Sequence, residues 1–198
     1  MKRFLTLVAI GGLLAATSIQ AALPDPASVV KATTEQVLER VIAERDELRS
    51  DANKMYNLVA EMIFPHFDFG IMSQWVLGTH WKDADEASRE AFVDQFRKLL
   101  VKTYATALLE FSDQAISYPP AEDTGSGATA TVVQEIATPG SSIPLIYRLH
   151  NKTGSWKVYD VSVDGVSLVK TYRASFSPLL NGDGLQALID TLDQKNQE

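Results

Sequence analysis

Residues 156–173 read WKVYDVSVDGVSLVKTYR, and this run decides the fold. Trp156, Val158, Tyr159, Val161 and Val163 are β-branched and aromatic, the types that suit a pleated surface, so the first part predicts a strand. Asp164-Gly165 is a turn, because glycine adopts φ > 0 at little cost. Val166, Val169, Tyr172, Arg173 and Phe176 then follow at helical spacing. No residue in the run is an obvious nucleophile, metal ligand or phosphate cradle. Its content is apolar and aromatic surface, which suits a container better than a catalyst. Val158 and Val161 are three apart, so a bulge or register change is needed to bring both to one face.

Working back from this run, short strands are expected at about 114–118, 128–138, 143–151 and 154–164. Pro139-Gly140-Ser141-Ser142 and Lys152-Thr153-Gly154 separate them, and Tyr118-Pro119-Pro120 with Gly125-Ser126-Gly127 marks a loop. The N-terminal half reads as helices. Pro24-Asp25-Pro26 opens one with an apolar stripe of Val30, Val37, Leu38, Val41, Ile42 and Leu48. Asp51 caps a second, carrying Met55, Leu58, Val59, Met62 and Ile63 and stopped by Pro65. Asp68 caps a third, ended by Gly78. Asp85 caps the longest, over roughly 86–112, where Phe92, Phe96, Leu99, Leu100, Tyr104, Leu108 and Phe111 recur at helical steps. A last helix carries Leu185, Leu188, Ile189 and Leu192. Helices, then antiparallel strands, then helices describe an α+β domain.

The first residues stand apart. Lys2 and Arg3 precede an apolar stretch from Phe4 to Ala16, followed by Thr17-Ser18-Ile19-Gln20-Ala21-Ala22. This is the pattern of a signal peptide over 1–21, leaving 22–198 as one domain. The chain has no cysteine, so its stability rests on a hydrophobic core and not on disulfides. Export without disulfides suits a bacterial periplasm. Of 18 basic residues, 16 remain once Lys2 and Arg3 are removed, against 25 acidic ones, a net charge of −9. That argues against a general affinity for nucleic acid or anionic membranes.

Chemistry is sparse. His66, His80 and His150 lack metal-ligand spacing and read as structural or solvent-exposed. Gly125-Ser126-Gly127 lacks the strand before and helix after that a nucleophile elbow needs. Asp160 and Asp164 read as turn and surface residues. No catalytic residue, metal site or cofactor is expected. What remains is an excess of large apolar residues on elements that face one another. A solid core and a lipid pocket use the same residue types and differ only in volume.

Phe67-Asp68-Phe69, Leu77-Gly78 with Trp81, the helix REAFVDQFRKLLVKTYATAL, Tyr147, and the opening run with Phe176 give the chain its likeness. It resembles the MlaC family of periplasmic phospholipid-binding proteins, the toluene-tolerance auxiliary family. The resemblance implies a curved four-stranded antiparallel sheet of the nuclear-transport-factor-like type, wrapped by helices. It implies that phospholipid acyl chains lie between sheet and helices, with the headgroup at the mouth. It implies a shuttle between an outer-membrane lipoprotein–porin complex and an inner-membrane ABC transporter bearing an MCE-domain subunit, in a system that maintains outer-membrane lipid asymmetry. The lining expected for that cavity is Phe92, Phe96, Leu99, Leu100, Tyr104 and Leu108 from the long helix. Tyr147, Val158, Val161 and Val163 come from the strands, and Val166 and Val169 from the exit helix. The alternatives are an enzyme acting on a small apolar substrate on the same scaffold, and a chaperone or adaptor with a solid core.

Overall fold

The computed structural model describes residues 23–121 and 127–197. The expected signal segment lies outside the described residues, as do Gly125 and Ser126 of the expected loop. Among the described residues, no helix is long and apolar enough to cross a membrane.

Aspartates start most of the N-terminal helices. Asp25 begins α1 (Pro26–Ala43), its carboxylate accepting from the Ser28 N–H at 2.9 Å. The chain bends at Glu44 into α2 (Arg45–Ser50), so the single expected helix is two. The hydrogen-bond ladder still passes through the bend, since Glu44 donates to Arg40 and accepts from Leu48. Asp51 caps α3 (Ala52–Met62), after which Pro65 sits in a 3₁₀ turn, Phe64–His66. Asp68 caps α4 (Phe69–Leu77) through the Ile71 N–H at 2.9 Å. Each such bond satisfies one of the free N–H groups of a first turn. Gly78 ends α4 with φ 58° and ψ −120°, and a Cβ there would stand 3.1 Å from the Arg173 guanidinium. A short helix that the sequence did not announce, α5 (Thr79–Asp83), leads to α6 (Glu86–Glu110), capped by Asp85.

The sheet is antiparallel with the order β1-β2-β3-β4-β5. Its strands are β1 (Ile116–Ser117), β2 (Thr129–Thr138), β3 (Ser141–His150), β4 (Lys157–Val163) and β5 (Val166–Ser167). Four strands lie where expected, although β1 is only two residues long. The fifth is new: Asp164 (φ 50°) and Gly165 (φ 79°) form a two-residue hairpin that pairs Val163 with Val166. This places Val166 on a strand and not on the exit helix. Helix α7 (Leu168–Gly182) starts only after β5, capped by Ser167, and α8 (Gly184–Gln197) closes the chain. The short β5 covers one end of the β4 edge. Phe67-Asp68 covers the other through a bridge to Val158, so both ends of that edge are paired.

The bulge inferred from Val158 and Val161 is present. Leu149 pairs with Val158 and Arg148 with Asp160, leaving Tyr159 as the extra residue on β4. Three cross-strand rows therefore share one face: Ala130–Leu149–Val158, Val132–Tyr147–Val161 and Gln134–Leu145–Val163.

Candidate functional site: an apolar cavity between sheet and helices

Small domains usually hold one contiguous core. Here the buried apolar residues separate into three clusters. One joins α4, the N-terminal half of α6, α7 and α8 around Phe92 and Phe96. A second joins α1, α2, α3 and the C-terminal half of α6 around Val41 and Met55. The third joins the sheet to Val30 of α1. Between them lies a cavity of about 460 Å³.

Its walls draw on every cluster. Val30, Thr33, Thr34 and Val37 come from α1, and Val59, Ile63 and Phe64 from α3 and the turn that follows. His66, Phe67, Phe69 and Met72 continue the wall into α4. The long helix α6 contributes Leu100, Val101, Tyr104 and Leu108. Opposite stand Gln134, Leu145, Tyr147, Leu149, Val158, Val161 and Val163, the inward rows of the sheet, with Leu168 at the start of α7. Two lining rings, Phe64 and Phe69, carry the Arg97 guanidinium over their faces, 5.6 and 4.9 Å from the ring centres. This cation–π stacking holds the wall with a group that does not itself line the cavity. A broader depression of about 760 Å³ beside α5 and α6 is lined by Glu86, Arg89, Glu90, Asp94 and Arg97 among others, and suits water, not hydrocarbon.

Among the described residues, no Asp, Glu, Lys or Arg lines the cavity. The lining's titratable groups are His66, Tyr104 and Tyr147. Burial pushes the Tyr147 phenol well above its ordinary range and the Tyr104 phenol up to about 12. Burial, with help from the nearby Lys157 charge, holds His66 below the usual imidazole range. All three shifts favour the neutral form, as a low-dielectric site does. The interior is thus apolar and uncharged.

Seven of the twelve residues expected to line a cavity do so: Leu100, Tyr104, Leu108, Tyr147, Val158, Val161 and Val163. The other five stand elsewhere. Phe92 and Phe96 are fully buried in the helical cluster, where Phe96 meets Tyr172 and Phe176 edge-on. Leu99 and Val169 pack in that same cluster. Val166 is 58% exposed at the sheet edge, because β5 and not α7 carries it. The physical reason is common to Phe92, Phe96 and Leu99 on α6, and Val169 lies on α7, one of the helices that cover them. The first half of α6 meets α7 and α8 and is covered, whereas its second half passes over the sheet at a distance.

The sequence reading missed the α1 wall, His66 and Gln134. The α1 stripe announced an apolar face without saying what it faced, and Gln134 betrayed itself only by sharing the alternation of Ala130 and Val132. His66 lines the cavity and is neither core nor surface. His150 is buried and paired to Asp68, Nε2 to Oδ2 at 2.9 Å, while its Nδ1 accepts from the Lys152 N–H. Asp160 is also buried, which corrects its reading as a surface residue. One oxygen accepts from the Ser167 hydroxyl at 2.7 Å and from Arg148 at 2.9 Å, and the other from the Val169 N–H at 3.2 Å. It ties β4 to the first turn of α7 and sits away from the cavity.

The MlaC protein family model matches residues 31–194, most of the chain and every wall of the cavity. The chain belongs to the MlaC family. Within it, the intermembrane phospholipid transport system binding protein MlaC of Haemophilus influenzae is 26% identical over 194 residues, spanning 96% of this chain and 90% of that one. The toluene tolerance protein ttg2D of Pseudomonas putida is 27% identical over 168 residues, spanning 83% and 78%. A phospholipid-binding protein from Ralstonia solanacearum, solved in complex with a phospholipid, superposes with a TM-score of 0.81 at 28% identity. That match covers 87% of this chain and 97% of the other. The MlaC fold, with its sheet and helices enclosing a space, is therefore the fold of this chain.

Proposed function

We propose that this protein binds phospholipid in the cavity and carries it across the periplasm between the two membranes. In this reading residues 1–21 are the export signal and 22–198 the carrier. The acyl chains lie against Leu100, Tyr104, Leu108, Tyr147, Val158, Val161 and Val163, and the headgroup stays at the mouth. Phe92, Phe96, Leu99 and Val169 support the wall from behind.

The observation that carries the reading is an uncharged apolar cavity where a solid core would otherwise be. The phospholipid held by the Ralstonia relative on the same fold supports the same occupant. Burying a methylene is worth about 0.8 kcal/mol, so two acyl chains gain roughly 20–25 kcal/mol over water. A bilayer offers nearly the same. The carrier therefore needs only to match the membrane and to lower the barrier of crossing water. Its two membrane partners are an outer-membrane lipoprotein–porin complex and an inner-membrane ABC transporter with an MCE-domain subunit.

Solvent extraction of the purified protein, followed by mass spectrometry, tests the proposal. Stoichiometric phospholipid is expected. A folded protein that yields none, and takes none up from vesicles, would refute it.

A further inference from the structure

One polar side chain stands among the hydrocarbon of the cavity wall in an arrangement that leaves it incomplete. Gln134 is 3% exposed and lies in the sheet row that also carries Leu145 and Val163. Its side-chain carbonyl accepts from two hydroxyls. Tyr147 donates at 3.1 Å from β3, and Thr34 at 3.3 Å from α1. With both hydroxyls on the oxygen, the amide nitrogen faces away from them. Its nitrogen is left with two N–H groups, and among the described residues nothing accepts from them. The residue borders the cavity, so those groups belong to the cavity wall. A donor that borders an apolar cavity without an acceptor is costly once that cavity is filled by hydrocarbon, which cannot relieve it.

We infer that Gln134 is a specificity-determining residue that donates to an acyl ester carbonyl of the bound lipid. The inference rests on the phospholipid reading given above and deepens it. The chemistry narrows the partner. The donor is neutral and among the described residues no Lys or Arg lines the cavity, so the wall around Gln134 does not compensate a phosphate, which stays in water. The ester carbonyls are the neutral acceptors next to the apolar chains and can enter with them. Tyr147 and Thr34 act as positioning residues, because they hold the amide and do not themselves face the ester.

The test compares two lipids that differ only at the carbonyl. Delipidated protein is loaded from vesicles of a diacyl phosphatidylcholine mixed equally with its dialkyl-ether analogue of matched chain length. The ratio retained after gel filtration is read by mass spectrometry. Wild type should retain the ester form about fivefold to tenfold over the ether form, the worth of one neutral hydrogen bond. Gln134→Leu should bring the ratio to about one while still loading lipid. Tyr147→Phe, which frees the amide to turn, should give an intermediate ratio. A wild-type ratio near one overturns the inference, including the case in which a trapped water satisfies the amide. A preserved ratio in Gln134→Leu overturns it as well. If Gln134→Leu does not fold, the wild-type and Tyr147→Phe ratios decide. Failure of both lipids to load would instead overturn the phospholipid reading itself, so the two failures are distinguishable.

Discussion

Replacing Val161 by glutamate separates a cavity wall from a solid core. Val161 is 8% exposed, faces the cavity and lies opposite Tyr147 on β3. Among the described residues the lining offers no Lys or Arg, and His66 is biased towards its neutral form. A carboxylate introduced there has no charged partner. Its pKa should rise from about 4.3 by roughly 3 units, as apolar burial does to carboxyl groups. The sign then follows from linkage. Below about pH 4.3 both folded and unfolded states hold the proton, and the variant suffers only a packing loss. As pH rises, the unfolded state ionises and the folded state does not. Stability relative to wild type should fall by about 1.4 kcal/mol per pH unit, reaching roughly 4 kcal/mol near pH 7. Urea midpoints for variant and wild type, taken in steps from pH 4.5 to 7.5, give this difference. Phospholipid per protein, measured on the same samples, should hold at the acid end and fall only as the folded-state carboxyl ionises, near pH 7 (about 4.3 plus the roughly 3-unit rise). A stability difference that does not vary with pH, together with a full lipid complement at pH 7.5, would refute the placement of this side chain.

The other perturbations dissect the frame around the cavity. Phe96→Ala removes a fully buried ring that meets Phe92, Tyr172 and Phe176. It should cost about 3–5 kcal/mol by denaturant melting and leave lipid per folded molecule unchanged. Asp160→Ala strips the acceptor from Ser167, Arg148 and the Val169 N–H and should cost about 2–3 kcal/mol, with Asp160→Asn costing less. Val166→Glu, at an exposed position, should move stability by no more than about 0.5 kcal/mol, in contrast to the same change at Val161.

Local chemistry was readable and packing partners were not. Asp51, Asp68 and Asp85 each start a helix because a carboxylate within reach of its own N–H groups needs nothing distant. The spacing of Val158 and Val161 demanded a bulge for the same reason, since alternation is a property of one strand. By contrast, Phe96 and Leu100 stand one turn apart on a single helix. One is sealed by Tyr172 and Phe176, and the other looks into the cavity. Nothing in α6 distinguishes them. The difference arrives with α7 and α8, which come about 70 residues or more later in the chain. His150 is a structural histidine, one of the two readings left open for it, but its partner Asp68, 82 residues away, was not legible. The turn before Val166 was recognised, but not that two residues after it would pair back before the helix began.

The extra residue on β4 separates what the cavity is made of from what shape it has. With Tyr159 deleted, Val158, Asp160, Val161, Ser162 and Val163 would alternate regularly, and every side chain that now faces the cavity would still face it. What would vanish is the local bend and added twist that a bulge gives a strand, along with the ring contacts Tyr159 makes to Trp75 and His150. A one-codon deletion would therefore flatten the sheet while conserving its inner chemistry. Evolution can thus tune such a container by two independent edits: substitutions on the inward rows change what it holds by affinity, and insertions or deletions at the bulge change the girth of what fits.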